Sequence, residues 1–289
     1  MNVTLPDRSA EDIGNIVHLE HVNLTVPDQL LATRFYITAL GLTRDPYLNT
    51  GVENMWANIG RTQFHLPHGP AQLFRGAVRL VMPGRDELIT RLRQVEQALR
   101  GTEFSFDDSN AGRVEVCSPW GNRLEFYEPD PARFGATQLG IVELVFDVAV
   151  GSTPGIARFY REVFGAPAQS SAGQARVQVG VGQWLIFCET GDALPAYDGH
   201  HIQIYVADFS GPHRRLHALG LVTEESNQHQ YRFMDIVDPH GGAPCFQVEH
   251  EVRSMTHPMF ARPLVNRDPR QRTGQYLPGA DAFVPHRPD

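Results

Sequence analysis

The sequence predicts an α+β fold of tandem βαβββ modules, with four units in two homologous halves that form curled mixed sheets covered by helices. Three observations predict it: a segment of the chain recurs about 124 residues later, strands and helices follow the same order in each half, and most strands alternate apolar with polar residues. Since side chains in a strand alternate between its two faces, each such strand offers one face to a core and one polar face.

The internal repeat sets the organisation of the chain. "RFYITALGL" at 34–42 recurs as "RFYREVFGA" at 158–166, and each copy ends an amphipathic helix at a glycine, Gly41 or Gly165, that suits a left-handed C-cap. The repeat predicts a first domain at 17–130 and a second at 138–252, between an N-terminal extension at 1–16 and a tail at 253–289. The tail is rich in proline and arginine, and we expect it to run as extended chain over the surface or to be partly disordered.

Each half divides into two units, in which a strand and a helix are followed by further strands. The predicted elements of the first half are strands at 18–26, 62–67, 77–82, 113–117 and 123–128 and helices at 29–40 and 87–99. Those of the second half are strands at 141–148, 176–181, 184–188, 201–206, 232–237 and 246–251 and helices at 155–164 and 212–219.

Composition and charge limit the kinds of partner that the chain is expected to bind. The chain has 289 residues, 42% of them hydrophobic, and a net charge of −8 without any basic block, which argues against nucleic acid and anionic membrane as partners. No apolar run is long enough for a membrane span, and the first residues lack the pattern of a signal peptide. Three scattered cysteines argue against a disulfide framework. We therefore expect a cytoplasmic protein.

The polar face of the strands carries unusual residues. In "LEHVNLTVPD", Val22 and Leu24 point one way while His21 and Asn23 point the other. Histidine, glutamate and glutamine recur on the corresponding face of other strands, at His65, Glu125, Glu143, His201, Gln203, Gln247 and Glu249. Such alternation also describes a sheet with one face in water. Because burying these groups is costly unless they bind something, the pattern favours a shared cavity.

Several of these motifs together resemble the vicinal oxygen chelate superfamily, which includes glyoxalase I, the fosfomycin and bleomycin resistance proteins, and the extradiol ring-cleaving dioxygenases. The resemblance covers residues 17–252 and depends on "HVNLTVPD", a following helix with "RFY…LG", a second strand-helix unit, and a glycine turn leading into "RLEFYEP". It implies paired units that curl around one divalent metal ion, with ligands from the first and last strands of each unit.

By position, the resemblance implies a set of candidate ligands on both halves. These are His21, His65, Glu125, His201 and Glu249, with Gln63 as an alternative to His65 and Gln247 as an alternative to Glu249. Ala77 and a residue such as Phe187 fall at ligand positions but cannot bind a metal, whereas Glu143 falls at the position of the first ligand of the second half. Tyr127 and Tyr205 share the polar face and are the candidate catalytic residues, which we expect to hydrogen-bond a substrate.

The resemblance leaves two arrangements of the units open. In dioxygenase-like proteins, neighbouring units of one half share a cup. This would join His21 and His65 with Glu125, or Glu143 with His201 and Glu249. In glyoxalase-like proteins, units are exchanged between halves, and His21 and His65 would then face His201 and Glu249.

The resulting expectation is a divalent-metal-dependent enzyme that acts on a small oxygen-rich organic substrate. Two imidazoles and a carboxylate suit Fe²⁺ or Mn²⁺ first, with Zn²⁺ and Ni²⁺ as alternatives, and they leave coordination positions open for a substrate. An extradiol-type dioxygenase is the leading hypothesis. A glyoxalase-like isomerase or lyase and a metal-free small-ligand-binding protein are the alternatives. Homodimerisation is left open.

Overall fold

Four βαβββ units follow one another along the chain, as the repeat predicts. The computed structural model describes residues 8–48 and 51–268. The first unit comprises β1 (Ile16–Asn23), α1 (Gln29–Ala32), β2 (Thr43–Arg44), β3 (Asn54–Ile59) and β4 (Thr62–Pro67). The second comprises β5 (Gly76–Val81), α2 (Arg85–Val95), β6 (Ser105–Asp107), β7 (Val114–Cys117) and β8 (Arg123–Tyr127).

The second half repeats this order after a short connecting helix, α3 (Pro131–Phe134). Its first unit comprises β9 (Gly140–Ala149), α4 (Thr153–Phe159), β10 (Ala168–Ser171), β11 (Gln174–Gly180) and β12 (Gln183–Thr190). Its second comprises β13 (His201–Val206), α5 (Ser210–Ala218), β14 (Val222–Asn227), β15 (Gln230–Val237) and β16 (Pro244–Ser254). A 3₁₀ turn, Arg8–Glu11, precedes them.

The strands of the described residues form two eight-stranded sheets, and each sheet takes one unit from each half. The first sheet has the order β14-β15-β16-β13-β1-β4-β3-β2, and the second has β10-β11-β12-β9-β5-β8-β7-β6. Unit one is therefore paired with unit four, and unit two with unit three. This is the exchange between halves that the sequence left undecided.

The helices differ from the sequence-based expectation in one respect. Helices α1 and α4 each continue as a π-helix, Thr33–Ala39 and Tyr160–Phe164, at equivalent places in the two halves. The predicted glycines follow these turns with positive φ, +77° at Gly41 and +68° at Gly165, a conformation that glycine adopts without a steric penalty. Asp28 caps the start of α1, since its carboxylate accepts a hydrogen bond from the Leu31 amide at 2.9 Å.

The apolar faces of both sheets and the helices share one core. Its largest members include fully buried aromatic side chains such as Phe35, Phe64, Phe146 and Phe187. Each fully buried phenylalanine contributes about 1.5–3 kcal/mol through removal of apolar surface from water. Among residues 8–48 and 51–268, none of the helices has the length and apolar character that a membrane crossing requires.

The described part of the tail is tied to the first sheet by side-chain hydrogen bonds. Residues 255–268, here called the C-terminal strap, leave β16 and cross to the opposite arm of the first sheet. There the Asn266 side chain bonds both the amide and the carbonyl of Gly60, each at 2.8 Å. The strap thereby joins the fourth unit to the first.

Candidate metal centre

Three neighbouring strands bring three predicted ligands together on the concave face of the first sheet, here called the first cup. β1 lies between β4 and β13, and its Asn23 pairs with His65 on one side and His201 on the other. His21, two residues before Asn23, points to the same face. One ring nitrogen from each of His21, His65 and His201 lies within 4.8 Å of the other two.

The three imidazoles are held in the neutral form that binds metals. Burial lowers the pKa of His21 and of His201 well below the usual value, and the nearby Arg232 and Arg253 guanidinium groups lower both further. Burial also lowers the pKa of His65, to about 2. The Nε2 atoms of His21 and His201 are buried, and neither has a hydrogen-bond partner within residues 8–48 and 51–268. Neutral rings with unused, converging nitrogen atoms are the donor set that a divalent metal requires.

Neighbouring side chains fix the orientation of the histidine rings. The Trp56 ring stacks on His65 at 3.8 Å, and Nε2 of His65 lies 2.8 Å from Oδ1 of Asn54, which leaves Nδ1 for a ligand. The Glu20 carboxylate lies 3.4 Å from Nδ1 of His21. Carboxylates and amides in these positions orient the rings of metal-binding histidines.

Carboxylates from β16 approach the same place. Glu249 is paired with His201 across β13 and β16, and its carboxylate lies 3.4 Å from Nδ1 of His201. Arg232 donates to Glu249 at 2.8 Å and to Glu251 at 2.6 Å. Burial raises the pKa of Glu249, although Arg232 opposes this effect. Glu249 is therefore the predicted carboxylate that the structure does bring to the histidines.

The two predicted tyrosines occupy different sheets. Tyr205 lies in the first cup, where its hydroxyl donates to Glu20 at 3.3 Å. Its contact with the metal centre therefore runs through Glu20. Tyr127 lies on β8 in the second sheet, and its hydroxyl donates to Glu125 at 2.6 Å.

The structure does not bring Glu125 or Tyr127 to the histidines. Because the units are exchanged between halves, β8 belongs to the second sheet, where Arg79 donates to Glu125 at 2.8 Å and to Glu143 at 2.9 Å. Arg79 and the Tyr127 hydroxyl hold the pKa of Glu125 below its usual value, against the effect of burial. We therefore leave both residues out of the metal site.

The strand register explains why the concave face of the second sheet, here called the second cup, lacks an equivalent set. Glu143 pairs with Arg79 as His21 pairs with Gln203, so Glu143 lies at the position of His21, as the sequence suggested. Ala77 lies at the position of His201, and Ile186 at that of His65. The sequence analysis placed Phe187 at the position of His65. This is wrong by one residue, since Phe187 faces the core. Neither alanine nor isoleucine can bind a metal.

Several residues of the first cup were not among the sequence-based candidates. Arg232 and Arg253 are separated in sequence, and only the pairing of β15 with β16 shows that they share a cup. Arg253 contacts Glu20 at 3.3 Å and Glu251 at 2.5 Å. Strict alternation would place Glu20 in the core, but the register of β1 shifts between Leu19 and His21.

The second sheet holds this irregularity in place. Gln183, on β12, accepts from the Leu19 amide at 3.0 Å and donates to the Leu19 carbonyl at 2.8 Å. These bonds occupy backbone groups of β1 at the place where the register shifts. The shift allows Glu20 and His21, which are consecutive, to contribute to the same cup.

Comparisons with known proteins agree on the fold. No protein-family model matches the chain, and no curated protein matches it. Among solved structures, a "putative dioxygenase" from Bacillus subtilis is similar with a TM-score of 0.54 at 15% identity, over 84% of this chain and 86% of that one. Glyoxalase I from Zea mays is similar with a TM-score of 0.52 at 11% identity, over 82% of this chain and 92% of that one. The tandem βαβββ fold expected from the sequence is thus confirmed by these structures.

Proposed function

We propose that the protein is a divalent-metal-dependent enzyme that acts on a small oxygen-rich organic molecule, with ring-cleaving dioxygenation of the extradiol type as its reaction. One observation carries the proposal: three neutral imidazoles from both halves of the chain converge within 4.8 Å in a buried cup. His21, His65 and His201 would hold the ion. Of the nearby carboxylates, Glu249 lies 3.4 Å from Nδ1 of His201, and Glu251 lies 3.8 Å from its Nε2.

When bound, Fe²⁺ or Mn²⁺ supplies Lewis acidity and a source of electrons for dioxygen. The residues of the chain would bind the ion and orient its histidine ligands. Glu20 and Asn54 hold the rings of His21 and His65, and Tyr205 holds Glu20. Three uncharged protein ligands leave the charge of the ion largely uncompensated, which favours a substrate that binds as an anion through two neighbouring oxygens.

Metal analysis and oxygen uptake test this proposal together. Protein purified without chelators should contain about one equivalent of Fe, Mn, Ni or Zn per chain. Reloaded with Fe²⁺, it should consume oxygen with at least one member of a panel of catechols and give a ring-cleaved product. Replacement of His201 by alanine should abolish both metal content and uptake. Replacement of the exposed His240 by alanine is the matched control.

A glyoxalase-like isomerase or lyase is the second candidate, and Glu249 is the observation that favours it. A carboxylate beside the histidines can remove and return a proton next to a substrate carbonyl. Turnover of a hemithioacetal without oxygen uptake, lost in Glu249→Gln assayed at a saturating metal concentration, would favour this reaction. Protein without metal that binds an aromatic ligand tightly would instead identify a sequestering protein, the third hypothesis raised by the sequence.

A further inference from the structure

The C-terminal strap places an additional charged side chain beside the first cup. Its Phe260 ring packs against Tyr205 at 4.9 Å on the β13 side. Two residues later, Arg262 crosses to the opposite arm, where its Nη1 donates to Oδ2 of Asp45 at 2.9 Å. The strap therefore crosses the cup between the two arms of the sheet.

Arg262 lies close to the row of side chains that contains His21. Gln63 pairs with His21 across β1 and β4, and its Nε2 donates to the same Asp45 oxygen at 3.1 Å. Asp45 thus joins Arg262 to a direct neighbour of His21.

One edge of the Arg262 guanidinium is unused. Only Nη1 has an acceptor, whereas Nε and Nη2 are buried without a hydrogen-bond partner among the described residues. Nε and Nη2 together form a planar edge that matches the two oxygens of a carboxylate. Leaving two charged donors buried and unpaired is costly, so this edge is suited to a ligand.

Two amide side chains beside His21 also have buried atoms that lack hydrogen-bond partners among the described residues. Gln203, which pairs with His21 across β1 and β13, is fully buried, and neither its Oε1 nor its Nε2 has a hydrogen-bond partner in the part of the chain that the structure describes. Oε1 of Gln63 is also buried, and the described residues offer it no hydrogen-bond donor. The positions flanking His21 therefore offer both donors and acceptors.

The other two arginines of the cup, Arg232 and Arg253, form ion pairs with glutamates. Arg232 bonds Glu249 and Glu251, and Arg253 contacts Glu20 and Glu251. Their guanidinium groups compensate carboxylates of the cup, whereas the Nε–Nη2 edge of Arg262 faces no carboxylate of the described residues. Arg262 is thus the arginine of the three whose two-nitrogen edge is left for a ligand.

We infer that Arg262 is a specificity-determining residue that binds a carboxylate of the substrate, while Gln203 hydrogen-bonds the oxygens next to His21. The inference rests on the proposed function and deepens it: the substrate is an acid that carries both a vicinal oxygen pair and a separate carboxylate. Recognition of the carboxylate is assigned to the strap rather than to the eight-stranded sheet.

A matched pair of probes tests this inference. Zn²⁺-loaded protein, which cannot turn over by redox chemistry, is titrated calorimetrically with 3,4-dihydroxybenzoate and with 4-methylcatechol, which lacks the carboxylate. Arg262→Gln should weaken binding of 3,4-dihydroxybenzoate at least tenfold and change binding of 4-methylcatechol by less than twofold. Arg262→Lys keeps the charge beside Asp45 but lacks the two-nitrogen edge, so it should show the same selective loss. It takes the place of the glutamine variant if that variant does not fold. Arg267→Gln, an exposed change in the strap, is the control.

Two results would overturn the inference: equal effects on both probes, or no preference of the wild-type protein for the carboxylated probe. Failure of the wild-type protein to bind Zn²⁺ would overturn the proposed function instead. In that event, titration of metal-free protein with benzoate still tests whether Arg262 binds a carboxylate. Weaker binding to Arg262→Gln than to wild type supports the inference, and equal binding overturns it.

Discussion

At the scale of single residues, glutamates on the last strands of the two sheets are both paired with arginine, and the one in the first cup also lies beside a histidine of the candidate metal centre. Glu249 lies beside His201 in the first cup, whereas Glu125 is bound by Arg79 in the second. Both lie at alternating positions of the last strand of a unit, so their sequence contexts are alike. Their surroundings differ only because the two strands belong to different sheets.

We expect Glu249→Gln and Glu125→Gln to differ in their effect on metal binding. The Glu249 change should weaken the metal on the order of 10–100-fold, because it removes a carboxylate from the centre. The Glu125 change should leave metal affinity within about twofold, since Arg79 still has Glu143 as its partner. Competition with a chromophoric chelator measures both. A larger loss in the Glu125 variant would contradict the assignment of the site to the first cup.

A second residue-scale prediction concerns His250, which is fully buried and 2.7 Å from the Tyr160 hydroxyl. Its Nδ1 lies 2.8 Å from the Val248 carbonyl, so Nδ1 carries the proton and Nε2 accepts from Tyr160. Burial lowers the pKa of His250 to about 4. Below its ordinary pKa of 6.5, the unfolded chain binds a proton that the folded chain does not, so stability is lost as the pH falls from about 6.5 towards 4.

This effect should be measurable by chemical unfolding at pH 7 and pH 5. Wild type should lose about 2 kcal/mol more of its unfolding free energy between these pH values than His250→Gln does, since one pKa unit corresponds to about 1.4 kcal/mol. An identical loss in the two proteins would show that His250 is not kept neutral by the fold.

Residue-level sequence reasoning found the histidines but missed the side chains around them. His21, His65 and His201 stand out because histidine is unusual on the polar face of a strand. Glu20 was missed because alternation assigns it to the core, and the register shift that moves it depends on Gln183 from the other sheet. A contact made by a distant segment leaves no local pattern.

At the scale of elements, most strands and helices were predictable, and the exceptions have physical reasons. β3 was not predicted because both of its faces are buried, Met55 in the core and Trp56 against His65, so it lacks a regular polar face. The short edge strands such as β2 are stabilised by pairing rather than by their own pattern. The π-helical ends of α1 and α4 were not predicted either, because the apolar periodicity of so short a segment does not separate a π-helix from an α-helix.

The strap is fixed to the first sheet by two of its side chains. Proline and arginine favour solvated, extended chain, yet Asn266 bonds Gly60 and Arg262 bonds Asp45. Asn266→Ala should lower the free energy of unfolding by about 1–3 kcal/mol, because it leaves two buried backbone groups of Gly60 unpaired. Urea unfolding measures this, with the exposed Arg267→Ala as control. Equal stability of the two variants would show that the strap does not tie the arms of the first sheet together.

At the scale of the whole molecule, the exchange of units between halves decides where chemistry can occur. Pairing of units one and four places the histidines of both halves in one cup, whereas units two and three contribute Glu143, Ala77 and Ile186 at the equivalent positions. The sequence predicted the four units because each has its own pattern. It could not predict their pairing, since both arrangements bury the same apolar faces. The fold therefore predicts a single metal ion per chain, although it contains two cups.

Anomalous diffraction from crystals of the metal-loaded protein, recorded at the absorption edge of the bound metal, tests this account most directly. We expect one strong peak per chain within bonding distance of ring nitrogens of His21, His65 and His201. A peak beside Glu125 and Glu143, or none between the three histidines in protein that carries metal, would contradict it.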